Sequence, residues 1–316
     1  MKGIFYSIMI ALFLIPLLGL IVFFSETQVP QNIDTNIRSN EMQYFSESIE
    51  TDLERFLQIN ARRAVIASVS MVIKNGVGLD NSELRLAEVI NNGTLYNTTN
   101  NTFSDQKNIT EWENSIRVIA ASSGFDINFT KPYASITVTQ NDSFSLLFNA
   151  TLYDVNISDD SSDMGIYKNI SIMAVVSIEG MEDPLYSNKT YTNVFVPIIR
   201  SPFTTPLSIS ELALDISSSY YHPSTRGPSF LNRLEGKTEL TGAHGLESFI
   251  NLPTLTGTSQ CTPQSSTLSD IDYEYWPASA QGRLLNASSQ GYSCIFNWFR
   301  ISDSAAADYG ISGWLS

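Results

Sequence analysis

The sequence predicts an α+β fold: an N-terminal transmembrane helix, a long helix plus short helices packed on an antiparallel β meander, then a disulfide-bonded C-terminal region. Three observations carry this expectation. Residues Ile4 to Phe24 run for 21 positions without a charge. Apolar residues then recur at three- and four-residue steps towards Lys74, and from Ile127 the apolar period drops to two. Two cysteines, Cys261 and Cys294, stand in the C-terminal part.

The apolar run is long enough to cross a hydrocarbon core of ~30 Å as a helix. Lys2 is its only flanking side-chain cation, the first charge beyond it is Glu26, and no further cation appears before Arg38. The positive-inside rule therefore puts the N-terminus in the cytoplasm and the chain after Ser25 outside. A cleaved secretory signal is the rival, but its apolar region is usually shorter, about 7–15 residues, and ends in small residues. Pro30 is expected to interrupt or kink any helix that continues from the run.

A long helix is expected from about Ile37 to Lys74. Met42, Phe45, Ile49, Leu53 and Phe56 form one apolar stripe, with Glu47, Glu50, Asp52 and Glu54 off it. From Ala64 to Ile73 the helix is apolar all round and should be buried, and Asn75-Gly76 supplies a left-handed stop. Asn81 can cap a second helix, Ser82 to Asn91. Thr110-Glu111-Trp112-Glu113 has the capping-box pattern and opens a third, with Trp112, Ile116 and Ile119 on one face and Gly124 at its end.

Strands follow. Ile127 and Phe129 alternate with polar residues, as do Ala134, Ile136 and Val138. The clearest strand is Lys168 to Glu179, where Ile170, Ile172, Ala174, Val176 and Ile178 point one way and Asn169, Ser171, Ser177 and Glu179 the other. That is a sheet with one buried and one wet face. Beyond Ser201 the texture turns to short segments rich in Ser, Thr, Gly and Pro, with helices expected at Ile209 to Tyr220 and after Gly227-Pro228, and a strand at Asp270 to Tyr275. The chain divides into a membrane segment (1–25), an extracellular α+β domain (26–200) and a C-terminal extracellular region (201–316).

Eleven Asn-x-Ser/Thr sequons mark exposed backbone in a translocated protein: Asn92, Asn97, Asn100, Asn108, Asn128, Asn141, Asn149, Asn156, Asn169, Asn188 and Asn286. Asn128, Asn169 and Asn188 obey the strand phasing. Asn149 and Asn156 break it, because a regular strand would put them on opposite faces; a bulge or an early strand end would repair it. In an oxidising compartment Cys261 and Cys294 are expected to pair, with a stabilisation of about 3–4 kcal/mol through the unfolded state; a free thiol is the alternative.

The net charge of −14 argues against a nucleic-acid partner and against an anionic membrane surface. The acidity serves solubility; the alternative is cation binding. His222 and His244 are the only histidines and fit surface or turn positions, and no zinc-like ligand cluster accompanies them. Nothing resembles G-x-S-x-G. Asp270, Asp272 and Glu274 alternate with Ile271, Tyr273 and Tyr275, which suits a strand with a solvated acidic face; calcium is the sharper alternative. Asp159 to Asp163 reads as a polar hairpin loop. Arg62-Arg63 reads as a surface ion pair, or as a contact with a partner near the membrane. The aromatics Tyr273, Tyr275, Trp276, Trp298, Phe299 and Trp314 suit a small core around the disulfide, or an adhesive, carbohydrate-binding surface. No cofactor is implied, and no enzymatic activity is expected.

Lys2-Gly3 followed at once by the apolar run resembles the short prepilin-type signal of archaeal pilins, and the layout of apolar helix, further helix and meander looks pilin-like. In that family a dedicated peptidase cuts after the Gly, which here would separate Gly3 from Ile4. The family usually carries Glu at the fifth mature position, where this chain has Ile8. Ser177 to Tyr186 (SIEGMEDPLY), Pro228 to Gly236 (PSFLNRLEG) and Cys294 to Ile301 (CIFNWFRI) are similar to stretches of uncharacterised archaeal surface proteins found with type IV pilus systems. The resemblance implies a single-pass, membrane-anchored surface glycoprotein, a pilin-like structural or accessory component whose partners are other surface or pilus proteins. The alternatives are an anchored adhesin that never forms filaments and, from a third class, an extracellular enzyme.

Overall fold

A computed structural model describes residues 2–98, 108–129, 134–159, 164–190, 195–239, 244–259, 266–286 and 293–315, with side chains from residue 36 onward. Asn100, Cys261 and the loop 160–163 fall outside the described residues, and the Cys261–Cys294 pairing with them. Helix and antiparallel sheet are mixed, as the periodicities require. The described elements are α1 (Lys2–Asn75), α2 (Ser82–Asn92), α3 (Ile109–Ser122), β1 (Phe125–Phe129), β2 (Ser135–Asp142), β3 (Ser145–Asp159) and β4 (Gly165–Ser177). Shorter pieces follow: α4 (Pro184–Thr190), α5 (Ile209–Ser218), β5 (Tyr221–Ser224), α6 (Phe230–Leu234), β6 (Gly245–Ser248), α7 (Leu252–Thr256), α8 (Asp272–Tyr275), β7 (Arg283–Leu284), α9 (Ser293–Phe296), β8 (Arg300–Ile301) and α10 (Asp303–Asp308). The chain forms two compact units: residues 1–53, 114–130 and 153–170 make one, and residues 54–113, 131–152 and 171–316 the other.

The helix α1 runs on without a break through both Pro16 and Pro30. The interruption expected at Pro30 does not occur. A proline removes one backbone bond and crowds the preceding turn, and the turns on either side carry the helix across. Gly76 stops it in the left-handed conformation (φ 64°), its N–H on the Val72 carbonyl at 2.8 Å. Among the described side chains, Asn36–Asn75 is long and apolar enough to cross a membrane, with a mean hydropathy of 1.2 over its most apolar window. Over half of that window is buried inside the protein and it carries exposed Arg62 and Arg63. Physically it is a core helix. The all-round burial expected for Ala64 to Ile73 holds for most positions, but Ser70 is exposed and so is Ile66, at 46%.

In the first unit, Met42, Ile49 and Leu53 of α1 are buried, and Phe45 stacks on Phe125 of β1 at 5.4 Å between ring centres. Arg38 binds the Gly124 carbonyl at 3.2 Å and the Asp159 carboxylate at 2.5 Å, and Lys168 meets Glu50 at 2.6 Å. Asp159 is therefore a buried strand end paired to a helix arginine, and not part of a solvated loop. β1 pairs antiparallel with the second half of β3.

In the second unit, β2 pairs antiparallel with the first half of β3, and β4 is β3's other neighbour. Ala174, Val176 and Ile178 are buried as their spacing predicts, as is Ile170 in the first unit, while Ile172 of the same expected face is half-buried. Asn81 caps α2 by accepting from the Leu84 N–H, and Gly93 closes it at φ 68°. The N-cap of α3 is Asn108, which accepts from the Glu111 N–H at 2.9 Å, and not Thr110. Of the face expected for this helix, Trp112 and Ile116 are buried, but Ile119 is 51% exposed and Ala120 takes the buried place after Ile116.

β3 resolves the sequon conflict. Burial falls on Leu146, Phe148, Ala150 and Leu152, then on Val155, Ile157 and Asp159, so the phase inverts between 152 and 155. Asp154 sits there with φ 57°, a left-handed conformation that Asp tolerates better than most residues. Its N–H donates to the Asn169 side chain at 2.9 Å and its carboxylate accepts from Tyr167. Both Asn149 and Asn156 consequently face water.

The short segments of the second unit are held by one buried charge cluster. Arg233 on α6 is fully buried and donates to Asp183 at 2.6 Å, to Asp272 at 2.8 Å and to the Leu246 carbonyl. Asp183 also accepts from Tyr221 (2.7 Å) and the Leu185 N–H (2.9 Å); Asp272 accepts from Ser248 and the Tyr273 N–H. Burial pushes the Asp272 carboxyl up to about 6 against the opposing pull of Arg233. Breaking such a cluster on one side strands buried charge and costs about 3–5 kcal/mol. Arg233→Met is expected to destabilise the chain by that amount, read as a lowered urea midpoint of the full-length protein in detergent; a midpoint within experimental error of wild type would remove the cluster's structural role.

Candidate functional site

The site is built on the two-stranded ribbon β5–β6, in which His222 and Glu247 are direct cross-strand partners. Directly paired residues share a face with Cβ atoms about 5 Å apart, so these two side chains stand together. Both line a cavity of about 470 Å³ in the second unit. The ribbon is brought close to its neighbouring loop by glycine: a Cβ on Gly245 would lie 2.0 Å from the Gly227 carbonyl oxygen.

Each member of the pair is backed by a buried partner. His222 is 4% exposed, and its Nε2 lies 2.8 Å from the carboxylate of Asp215 on α5, which is fully buried. The second Asp215 oxygen accepts from Ser201 at 2.7 Å. A neutral imidazole donating through Nε2 keeps Nδ1 as an acceptor. Glu247 is 6% exposed and accepts from the Tyr309 hydroxyl. Burial first, and then the Glu247 charge, holds the Tyr309 phenol well above its usual range, so it stays protonated and donating. The His222 ring is fixed edge-on to Tyr309 (5.2 Å) and Phe249 (5.9 Å).

This corrects the surface or turn placement expected for His222; His244 is exposed as expected. A ribbon of four-residue strands gives no periodic signal; Asp215, seven residues before, and Glu247, remote in sequence, explain why a histidine is buried there. Ser201 bonds to the aspartate and not to the histidine, so these three residues do not form a nucleophile–base pair.

The other expected positions fare differently. Asp270, Asp272 and Glu274 are not on a strand with a wet acidic face. Asp272 and Glu274 lie on the short helix α8, and all three are buried. Among the described residues, no group of three or more His, Cys, Asp or Glu is placed to hold a metal ion. Tyr273, Trp298 and Phe299 are buried, which is the core placement, while Tyr275, Trp276 and Trp314 are half-buried. Arg62 and Arg63 are exposed. Of the sequon asparagines, Asn92, Asn97, Asn128, Asn141, Asn149, Asn156, Asn169 and Asn286 are exposed, and Asn108 and Asn188 half-buried.

Compared with known proteins, the chain matches no family model, no curated sequence and no solved structure.

Asp270 generates a pH prediction. One of its oxygens accepts from the Arg300 N–H at 2.7 Å and the other is buried without a hydrogen-bond partner. Burial, the largest cause, raises its carboxyl from 3.8 to about 8. Between these values the folded state binds the proton and the unfolded chain does not, so stability falls as pH rises from about 4 to about 8. Asp270→Asn is expected to flatten that slope and to raise the unfolding midpoint relative to wild type at pH 8.5 more than at pH 5. Parallel pH profiles for the two proteins would contradict the assignment.

Proposed function

We propose that this protein is a non-enzymatic, membrane-anchored surface glycoprotein of pilin-like layout, a structural or accessory component of a type IV pilus-like assembly. The observation that carries the reading is α1. One uninterrupted helix bears the uncharged run Ile4 to Phe24 at one end and a buried stripe beneath antiparallel sheet at the other. Helix continuity through Pro30 agrees with a pilin-type continuous helix, while Ile8 in place of Glu still departs from the family's pattern. In this reading the apolar run anchors the chain, the N-terminus is cytoplasmic and the rest extracellular.

Further support comes from accessible side chains. Ile37 and Tyr44, seven residues apart on α1 and thus on one face, are 51% and 70% exposed; Ile59 and Ile66 repeat the spacing at 52% and 46%. Such faces suit contact with neighbouring subunits. Eight described sequon asparagines are exposed and can accept glycans. In the same oxidising surroundings Cys261 and Cys294 are proposed to form a disulfide. Non-reducing peptide mapping is expected to recover the two cysteine peptides joined; recovery of alkylated free thiols from both would exclude the bond.

Mass spectrometry of the N-terminal peptide tests the filament reading. A mature start at Ile4, enriched in sheared surface material over membranes, is the expected result. A chain that begins at Met1 and stays with membranes would sink the pilus-subunit reading, and a start beyond Phe24 would sink the anchor as well. The lined cavity at His222 and Glu247 favours a second reading, an anchored adhesin or ligand-binding ectodomain that does not assemble.

A further inference from the structure

We propose that the cavity against His222 and Glu247 is a binding site for a neutral saccharide. The inference goes beyond the anchored-component reading and stands whether or not the chain enters a filament.

The chemistry of the walls selects the ligand class. The floor offers the Glu247 carboxylate, an acceptor, beside the ring of His222, each already oriented by a buried partner. A sugar hydroxyl, which both donates and accepts, can serve either group. The hydroxyls of Thr204 and Thr225 border the cavity and both donate and accept. Phe203 adds a half-exposed aromatic ring against which the C–H face of a sugar ring packs. A volume of about 470 Å³ lies within the range of small-molecule sites, about 300–1,000 Å³.

Charge narrows the class further. Arg200 at the rim is paired with Glu179 at 2.9 Å, and Asp308 is paired with Arg226. Glu247 is then the lining carboxylate without a basic partner among the described ion pairs. An anionic ligand would meet that buried charge with like sign. An ammonium would satisfy it, but would meet the Arg200 guanidinium at the rim and leave the hydroxyl-lined wall unmatched. A neutral polyol uses both.

The test uses the full-length chain in a detergent without a sugar headgroup. Saturation-transfer NMR is recorded with glucose, galactose, N-acetylglucosamine, maltose and lactose, and with putrescine and citrate as charged controls. The expected result is transfer to at least one saccharide, with affinity roughly tenfold weaker in both Glu247→Gln and Phe203→Ala. Phe203→Ala is half-exposed at the rim, and its unfolding midpoint, measured alongside, separates lost binding from lost fold. Absence of transfer to all five saccharides, preference for putrescine or citrate, or binding retained in either correctly folded variant would overturn the proposal. None of these results bears on where the mature chain starts, so this inference and the filament reading fail separately.

Discussion

The buried guanidinium of Arg233 is the constraint on which the C-terminal half of the second unit depends. Its helix is five residues long, the strands beside it four, and α8 four. Elements this short cannot hold themselves by backbone cooperativity, since helix nucleation alone is costly. Arg233 reaches Asp183 before α4, Asp272 on α8 and the backbone of β6 at once, and Asp183 takes the Tyr221 hydroxyl from β5. Five segments far apart in sequence thus share one set of hydrogen bonds. Burial is the largest cause of the raised Asp272 carboxyl, with neighbouring Asp183 adding to it and Arg233 opposing it.

The candidate site inherits its order from that frame. Tyr221, whose hydroxyl meets Asp183, immediately precedes His222, and Leu246, whose carbonyl accepts from Arg233, immediately precedes Glu247. The ribbon is thereby pinned by residues on its inner face while the alternate residues face the cavity, as the period of two in a strand requires. Asp215 and Tyr309 then fix each side chain from outside the ribbon. A recognition surface built this way is held in place before a ligand arrives, so little conformational entropy remains to be lost on binding.

How much of this was legible in the sequence follows the length of the elements. The stripe Met42, Ile49, Leu53 and the alternation Ile170, Ala174, Val176 extend over enough residues for periodicity to speak, and both are buried as expected. Helix ends were legible where a side chain could reach the backbone, as at Asn81, and misjudged at α3, where Asn108 and Thr110 compete two residues apart. The alternation of carboxylates over Asp270 to Tyr275 imitated a half-solvated strand. It failed because burial there is decided by Arg233, the Arg300 backbone and Ser302, which are distant in sequence. The buried His222 escaped for the same reason: nothing within a few residues of it announces Glu247.

Asp154 gives β3 a seam. On one side of it the even-numbered residues face inward, and on the other the odd-numbered ones do. The strand therefore behaves as two alternating patterns joined at a single left-handed residue, each free to drift in sequence without regard to the parity of the other. Loss of one residue at the seam would leave the two patterns as one uniform alternation that a regular strand keeps inward, whereas loss of one residue inside either half would turn part of that half inside out. Its sequon would then be carried into the core and apolar side chains into the solvent. The length of chain within each half is accordingly under tighter constraint than the length at the seam itself.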